Sequence, residues 1–349
     1  MKQLLISPQS TIRQSMKQLG KVGERCLVVV DASKKLIGTL SDGDIRKAIL
    51  NGYGFSEKII SICQKNPKTL IKGKYDAEMS KKIFIKERYD LIPVINDDET
   101  LVDILFIESV INENSKHLKT KLDLPTVIMA GGRGARLEPF TKILPKPLIP
   151  VHEKPIIEHI IQMFTDVGCN NFYLTINYMS KILKAYFEEL NPNYKINFLE
   201  EKIPLGTAGS LSYVEGKINS PFFVTNCDII VKTDYSSLYK FHVEGNYDLT
   251  LVASAKEYVI PYGTCELNND GHLAKINEKP QFDFLINTGL YILNPKVLSF
   301  IKKNQVYHIT HLIEDLRNNG IKVGVFPIDD DDWIDVGQWA EYKKAIDKL

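Results

Sequence analysis

A short apolar run that leads into a glycine-rich turn constrains this chain most. Thr126–Met129 predicts a buried strand, and Gly131-Gly-Arg-Gly134 follows directly. Glycine lets backbone N–H groups approach a ligand closely, and successive inward-pointing N–H groups form a nest for anions. Two cations, Arg136 and Lys146, flank this turn. The stretch therefore predicts a polyphosphate site at the end of a strand.

Two common phosphate-binding motifs do not fit the glycine turn. A P-loop needs Gly-Lys-Ser/Thr after its spacer, and a dinucleotide fingerprint needs a third glycine where Leu137 stands. A turn without any ligand remains open if Gly131-Gly132 is considered alone. The complete string Gly131-Gly-x-Gly-x-Arg-Leu-x-Pro-x-Thr141, followed by Pro145-Lys-Pro-Leu148, resembles the signature of the sugar-1-phosphate nucleotidyltransferases.

Bulk properties exclude several classes of protein. With 349 residues, two domains are expected, and a net charge of +1 offers no basic field for nucleic acid. No apolar run is long enough to span a membrane, and the first residues lack a secretory apolar segment. The five cysteines are scattered without a Cys-x-x-Cys pair, which favours a reducing, cytoplasmic setting.

Residues 1–119 contain an internal repeat, with units at about 1–62 and 63–119. Cys26–Asp31 aligns with Leu91–Asn96, and Leu36–Leu40 aligns with Leu101–Leu105 at the same offset. A helix precedes each pair of strands, with Thr11 before Ile12–Leu19 and Asp76 before Ala77–Glu87 as predicted N-caps. Two such units would bury their apolar faces by packing together.

This region resembles a tandem pair of CBS domains, a Bateman module, most closely at Gly38-Thr-Leu-Ser-Asp-Gly-Asp-Ile-Arg46. The resemblance implies an adenine nucleotide, with Ser41 at its phosphate and Asp44 at its ribose, and a homo-oligomer formed through CBS pairs. The second repeat departs from the pattern at three positions: Asp103, Phe106 and Ser109. At most one adenosine-type site is therefore expected, and a role in packing or dimerisation alone remains open.

The polar residues 114–123 predict a linker, with a boundary near Leu122–Pro125 and a second domain over 125–349. Predicted strands and helices alternate along this domain: strands at Thr126–Met129, Phe172–Ile176, Ile196–Leu199 and Phe222–Thr225, and helices at Ile156–Val167 and Lys181–Leu190. Alternation of this kind indicates a mainly parallel sheet with helices on both faces and ligands at the strands' carboxyl ends. The predicted fold is α/β, a Rossmann-like mixed-sheet nucleotidyltransferase domain of the GT-A type, preceded by the tandem CBS module.

The family resemblance assigns the nucleotide to two turns. Nucleotide-binding residues are predicted at Ala130, Gly131, Gly132, Gly134, Gly206 and Thr207. The last two lie in Leu205-Gly-Thr-Ala-Gly209, which contacts the nucleobase largely through main chain in the resembled family. A simple helix start with Thr207 as N-cap is also open. Further along, Thr310 is predicted to cap a helix over His311–Asn318.

Two carboxylates are predicted to hold Mg²⁺. Asp228 ends a strand next to the phosphate nest, and Mg²⁺ suits carboxylate and phosphate oxygens. Asp228 alone would more simply be a solvated strand end. Trp333-Ile-Asp-Val-Gly337 resembles the family's Trp-x-Asp-x-Gly segment and nominates Asp335 as the second ligand.

Three short motifs resemble the family's sugar-phosphate pocket: Tyr262-Gly263, Glu278-Lys279 and Asn287-Thr288. Singly, each also fits a surface turn or a hairpin. Their order after the signature predicts sugar contacts from these residues. Arg136, Lys146 and Lys279 are the predicted catalytic cations.

The resemblance implies that an NTP and a sugar 1-phosphate give an NDP-sugar and pyrophosphate. The joined CBS and transferase architecture resembles the glucosamine-1-phosphate guanylyltransferases of bacterial legionaminic acid synthesis, which favours GTP and glucosamine 1-phosphate. A UTP- or dTTP-dependent pyrophosphorylase of the glucose-1-phosphate type is the close alternative. A sensor that binds nucleotide or sugar nucleotide without turnover is the alternative from another class.

Overall fold

The computed structural model describes residues 2–87, 89–107 and 121–348. Its strands, in chain order, are β1 Leu5–Ile6, β2 Cys26–Val30, β3 Leu36–Ser41, β4 Leu70–Ile71, β5 Leu91–Ile95, β6 Leu101–Phe106, β7 Thr126–Met129, β8 Pro150–Val151, β9 Lys154–Pro155, β10 Asn171–Ile176, β11 Lys195–Glu200, β12 Phe222–Asn226, β13 Ile229–Val231, β14 Leu249–Val259, β15 Thr264–Leu267, β16 Leu273–Asn277, β17 Gln281–Leu293, β18 Val323–Asp329 and β19 Trp333–Asp335. The α-helices are α1 Ile12–Val22, α2 Asp42–Leu50, α3 Ala77–Glu87, α4 Ile156–Thr165, α5 Ser180–Leu190, α6 Gly206–Gly209, α7 Tyr235–Glu244, α8 Ile309–Asn318 and α9 Trp339–Lys348. Short 3-10 turns connect several of them. Within these described residues, no helix combines the length and apolar character that crossing a membrane requires.

The chain forms two compact units. Unit 1 contains the described residues of Met1–Leu118 together with Ala255–Leu285 and Asp329–Asp331. Unit 2 contains the remaining described residues. The two long strands β14 and β17 each contribute residues to both units.

In unit 1, two three-stranded sheets repeat the same design. The strand orders are β1-β2-β3 and β4-β5-β6, with the middle strand parallel to the first and antiparallel to the third. Each sheet has an irregularity at the equivalent step, between Val29 and Val30 and between Val94 and Ile95. The repeat seen in the sequence therefore extends to strand register.

Both predicted helix starts of the repeat are confirmed. The Thr11 hydroxyl accepts the Gln14 N–H at 3.2 Å, and Gln14 Oε1 accepts the Thr11 N–H at 2.9 Å, which forms a capping box. Asp76 Oδ1 accepts the Met79 N–H at 2.7 Å. The linker predicted at 114–123 lies outside the described residues except for its last three, and Ser109 also lies outside them.

Unit 2 is built on a seven-stranded sheet of order β11-β10-β7-β12-β17-β14-β18. The strands β11, β10, β7 and β12 run parallel, and β17 is antiparallel to β12. The predicted strands and helices of this domain are confirmed to within two residues at each end. The mixed sheet of the predicted fold class is therefore present.

Helices and apolar side chains cover both faces of this sheet. Along β7, Val127 packs into one core with Val224 and Tyr291, whereas Ile128 packs into another with Phe172 and Phe223. Because successive strand residues point to opposite faces, two separate cores form from one sheet. The ends of the strands are left uncovered by these two cores.

Candidate active site

The glycine turn follows β7 at the carboxyl end of the parallel strands. Gly134 has a left-handed backbone with φ 68°. A Cβ at this position would lie 2.8 Å from Thr141 Cγ2 and 3.1 Å from Lys146 Cβ. Glycine is therefore required both by the backbone and by the close approach of Lys146.

The first two glycines of the turn have different surroundings. A Cβ on Gly131 would lie 2.6 Å from Glu201 Oε1, whereas a Cβ on Gly132 would meet nothing within 4 Å. Ala130 is buried, and its N–H donates to the Thr175 carbonyl at 2.9 Å. The turn is thus anchored at its start and open at Gly132, where a ligand could approach the backbone.

Lys146 and Asp228 form a buried ion pair. Their side chains are only 11% and 12% exposed. Apolar residues surround the pair in a small crevice: Leu137, Ile149, Val151, Ile156 and Val336. Apolar side chains on one side of the pair lower the local dielectric and strengthen its electrostatic field. Lys146 and Asp228, 82 positions apart in the chain, therefore lie in contact, and their shared role in one site stays a prediction.

A short strand pair brings the second predicted metal ligand to the same place. The strands β13 and β19 are antiparallel, and Ile229 pairs with Asp335. The Val336 N–H donates to the Asp228 carbonyl at 2.8 Å. This pairing fixes Asp335 next to Asp228, which lies two positions after β12, so the two acids converge from distant parts of the sequence.

Gly337 lies against all three charged groups, and sequence reasoning assigned it no role. A Cβ there would lie 2.4 Å from Asp228 Oδ2, 2.9 Å from Asp335 Oδ1 and 3.3 Å from Lys146 Nζ. Its own N–H donates to Asp335 Oδ1 at 2.7 Å. The Trp-x-Asp-x-Gly segment contained a signal for this role, because its glycine leaves open the space between the carboxylates that a side chain would fill.

The electrostatics of this cluster favour a bound cation. Burial, and then the nearby charge of Asp228, raise the pKa of Asp335, while the Gly337 N–H and the charges of Lys146 and Arg136 lower it. Among the described residues, no group of three or more His, Cys, Asp or Glu side chains could hold a metal alone. Two carboxylates do fit a hard divalent ion that takes its other ligands from substrate phosphates and water.

The Leu205–Gly209 turn is braced by a distant segment, which decides against Thr207 as the cap of its own helix and corrects the cap predicted at Thr310. The Thr207 hydroxyl accepts the Ile309 N–H at 3.0 Å, so it caps α8 and not the helix in which it lies. Thr310 is not the N-cap of that helix, because α8 already begins at Ile309. The N–H groups of Ala208 and Gly209 both donate to the Tyr307 carbonyl at 2.9 Å.

Glu201 is a buried acid that sequence reasoning missed. It is 7% exposed, and burial raises the pKa of its carboxyl group. One carboxylate oxygen accepts the Leu205 N–H at 3.1 Å, and the other lies against Gly131. Glu201 thus stands between the two predicted nucleotide turns. No local motif separates it from the exposed Glu200 beside it, so only the fold reveals it.

The hairpin β15–β16 in unit 1 brings two of the predicted acceptor motifs together. Thr264 pairs with Asn277, so Tyr262-Gly263 and Glu278-Lys279 adjoin the same end of the hairpin. A Cβ on Gly263 would lie 3.0 Å from Glu278 Oε2. Lys279 is exposed and has a left-handed backbone with φ 45°.

The third acceptor motif lies on β17 in unit 2. Asn287 donates from Nδ2 to the Tyr291 hydroxyl at 2.9 Å and accepts the Gly289 N–H at 3.1 Å. Thr288 is buried, and its hydroxyl donates to the Val252 carbonyl at 2.9 Å. Both side chains already have partners in the sheet, and their contact with a sugar stays a prediction.

Ser41 and Asp44 form a capping box at the start of α2. The Ser41 hydroxyl donates to Asp44 Oδ2 at 2.6 Å, and the Asp44 N–H donates to Ser41 Oγ at 3.1 Å. These contacts give both residues a structural role. Their binding of an adenine nucleotide stays a prediction.

Comparisons with known proteins show what this chain is similar to. A mannose-1-phosphate guanyltransferase of Hypocrea jecorina is 34% identical over 237 residues, which cover 62% of this chain and 61% of the relative. Another protein of that name, from Yarrowia lipolytica, is 36% identical over 212 residues, covering 58% and 54%. The chain thus spans about three fifths of the first relative's length.

Among solved structures, HddC from Yersinia pseudotuberculosis complexed with GMP-PN is similar, with a TM-score of 0.52 and 26% identity. The match covers 64% of this chain and 99% of that one. The CBS domain family model matches residues 2–51, which lie within the first repeat. The Nucleotidyl transferase family model matches residues 125–349, and these include every charged residue of the Lys146, Asp228 and Asp335 cluster. The chain therefore belongs to the nucleotidyl transferase family, whose members generally use a divalent metal, and carries a CBS domain at its N-terminus.

Proposed function

We propose that the protein is a guanylyltransferase that converts GTP and glucosamine 1-phosphate into GDP-glucosamine and pyrophosphate. Residues 125–349 would form its catalytic domain and residues 1–119 a tandem CBS module. The observation that carries the reaction class is the convergence of Lys146, Asp228 and Asp335 beside the glycine turn. Two carboxylates that hold a divalent cation beside a lysine would neutralise phosphate charge, which is the main requirement of nucleotidyl transfer.

In the proposed reaction, an oxygen of the sugar phosphate attacks the α-phosphorus in line, and pyrophosphate leaves from the opposite side. The acceptor phosphate is already anionic at neutral pH, so no protein nucleophile is needed. Lys146 would bridge toward the α-phosphate, and Arg136 with the turn from Gly131 to Gly134 would hold the β- and γ-phosphates. Lys279 would hold the incoming phosphate, which the triphosphate otherwise repels.

Asp228 and Asp335 would hold Mg²⁺ together with substrate phosphate oxygens. Such an ion supplies charge neutralisation at the α-phosphate. The fold positions both acids: the Gly337 N–H orients Asp335, and the pairing of β13 with β19 keeps Asp228 beside it. Lys146 keeps the Asp228 carboxylate paired within its apolar surroundings.

Glu201 supports guanine as the base. The Watson–Crick edge of guanine presents two adjacent donors, N1–H and the N2 amino group, and an ionised carboxylate only accepts hydrogen bonds. Uracil and thymine present a single donor between two carbonyl oxygens, which a carboxylate would repel. Glu201 is held between the Leu205 N–H and the backbone at Gly131, so its position is fixed before any base arrives. The GMP-PN complex of the similar HddC also contains a guanine nucleotide.

The acceptor is the less constrained half of the proposal. The pairing of a CBS domain with a nucleotidyl transferase domain supports glucosamine 1-phosphate, through the resemblance to enzymes of legionaminic acid synthesis. The names of the similar guanyltransferases favour mannose 1-phosphate as a second candidate. Tyr262, Gly263, Glu278, Asn287 and Thr288 are the proposed sugar contacts.

The remaining parts of the proposal concern the CBS module and the cell. An adenine nucleotide at Ser41 and Asp44 would regulate the enzyme, and CBS pairs would join identical subunits. All five cysteines lie in described segments and are free thiols. Free thiols support a reducing, cytoplasmic location.

The test is pyrophosphate release by the full chain with Mg²⁺, using four NTPs against a panel of sugar 1-phosphates. We expect GTP with glucosamine 1-phosphate to give the highest kcat/KM. A preference for mannose 1-phosphate would show that glucosamine 1-phosphate is not the acceptor. A preference for UTP or dTTP would show that guanine is not the base. If no pair of NTP and sugar 1-phosphate releases pyrophosphate, the protein is not this enzyme, and a sensor without turnover is favoured. Addition of AMP, ADP or ATP to the same assay tests the CBS site.

Glu201→Gln tests the guanine assignment. The amide keeps the shape but presents a donor where guanine needs an acceptor, so we expect kcat/KM for GTP to fall by about a hundredfold. The ratio of kcat/KM for GTP to kcat/KM for UTP should fall as well. Glu200→Gln is the matched control, because Glu200 is adjacent, exposed and paired with Lys184. An equal loss with every NTP would mean that Glu201 only shapes the turn.

A further inference from the structure

Arg13, in the first turn of α1, is a cation of the repeated module with partners far along the chain. Its side chain is 13% exposed. One guanidinium nitrogen donates to the Ala255 carbonyl at 3.0 Å, and another pairs with Asp283. Glu257 lies 3.9 Å from a third nitrogen. All of these residues belong to unit 1.

The partners of Arg13 lie on the two strands that enter and leave one hairpin. Ala255 and Glu257 belong to β14, which leads into the hairpin, and Asp283 belongs to β17, which follows it. The segment between them, from residue 260 to 280, carries Tyr262, Gly263, Glu278 and Lys279. Arg13 therefore holds both chain ends of the segment that carries the predicted acceptor residues.

The N-terminal repeat fixes the guanidinium in place. Arg13 lies over the Phe55 ring at 5.0 Å, and its backbone N–H donates to the Phe55 carbonyl at 3.0 Å. Phe55 and Ala255 are both buried members of one apolar cluster formed mainly by the first repeat. A planar guanidinium with several fixed donors can bind two strands at once, which an ammonium group cannot do equally.

We propose that Arg13 is a positioning residue for the acceptor phosphate: it fixes β14 and β17 and thereby orients the hairpin segment that carries Lys279 and Glu278. This rests on the proposed function of those two residues. The first repeat would then be a structural part of the acceptor half of the enzyme, in addition to any ligand that it binds. Loss of Arg13 should weaken binding of the sugar 1-phosphate and leave binding of the NTP unchanged.

The first measurement does not depend on activity. Hydrogen exchange of the full chain should show faster exchange over Thr264–Asn277 in Arg13→Ala than in the wild type, because the hairpin opens locally when its strands are released. Lys21→Ala is the matched control, since Lys21 is an exposed cation on the same helix. Unchanged exchange over the hairpin would overturn the proposal.

The second measurement separates the two substrates. With the best substrate pair, we expect Arg13→Ala to raise KM for the sugar 1-phosphate about tenfold, the loss expected for a charge-assisted contact, and KM for the NTP less than about twofold. Arg13→Lys should recover part of this loss, because a point charge reaches one strand. Asp283→Asn removes the charge that pairs with Arg13 on β17. It should raise KM for the sugar 1-phosphate by a smaller factor than Arg13→Ala.

A parallel rise of both KM values, or exchange that increases across the whole module, would mean a general loss of structure and would refute a positioning role. If the wild type releases no pyrophosphate with any pair, the proposed function fails. The exchange measurement then still decides whether Arg13 holds the hairpin.

Discussion

Gly337→Ala would place a methyl group between Asp228 and Asp335, the two acids proposed to hold the metal. The added Cβ would lie 2.4 Å from Asp228 Oδ2, so this oxygen must withdraw by about 1 Å to reach ordinary contact. A misplacement of about 1 Å in a catalytic site costs roughly a hundredfold in rate. We therefore expect kcat to fall by about that factor.

The same variant should remain folded. Gly337 does not have a left-handed backbone, so alanine adds no backbone strain. The atoms that must move are the ends of side chains, for which overpacking costs about 1–3 kcal/mol. Pyrophosphate release at saturating substrates gives kcat, and urea unfolding gives the free energy of unfolding.

Gly54→Ala is the control, because it adds the same methyl group where the nearest atom is 3.9 Å away. Wild-type turnover in Gly337→Ala would show that the positions of Asp228 and Asp335 do not matter for the reaction. A fall in kcat accompanied by complete unfolding would equally contradict the reasoning.

Three more predictions concern the catalytic unit. Lys146→Ala and Asp228→Asn should each lower turnover by about a hundredfold or more while circular dichroism shows a folded protein, and a near-normal rate in either would remove the role assigned to it. Thr207→Ala should destabilise the protein by about 1 kcal/mol through loss of the cap on the Ile309 N–H, whereas Thr207→Ser should retain most of it; equal unfolding midpoints for all three proteins would contradict this. Burial lowers the pKa of His242, so the folded state binds fewer protons than the unfolded state as pH falls below about 6.5, and stability should decrease on acidification. Urea unfolding between pH 7.5 and 5 should therefore show a shallower decrease in His242→Gln, and identical slopes would rule out this contribution.

The sequence predicted those parts of the fold that depend on local patterns. The strand at Thr126–Met129 and the helix at Ala77–Glu87 have the predicted bounds, because burial periodicity and turn residues are encoded within each element. The repeat was visible because both copies keep the same spacing. The fold class followed from the alternation of elements, and the sheet that resulted is mixed, as predicted.

The parts that sequence reasoning missed depend on contacts between distant residues. A cap of its own helix was the open alternative for Thr207, but its hydroxyl accepts from Ile309, and nothing near Thr207 in the sequence indicates this. Gly337 acquires its role only when the three-residue strands β13 and β19 pair. Glu201 differs from Glu200 only by pointing inward. Periodicity within one segment cannot reveal such pairings, because their energy comes from tertiary contacts.

The bracing of the Leu205–Gly209 turn limits how this enzyme could be re-engineered. A Cβ on Gly206 would lie 2.9 Å from the Tyr307 carbonyl, and one on Gly209 would lie 2.9 Å from the Gln305 carbonyl. The turn and the segment 305–309 therefore fit each other as one shape, although about a hundred positions of chain separate them. A Leu205–Gly209 loop transplanted alone from a relative would lack the matching segment 305–309. Grafts that exchange both segments together should fold, whereas single-loop grafts should not.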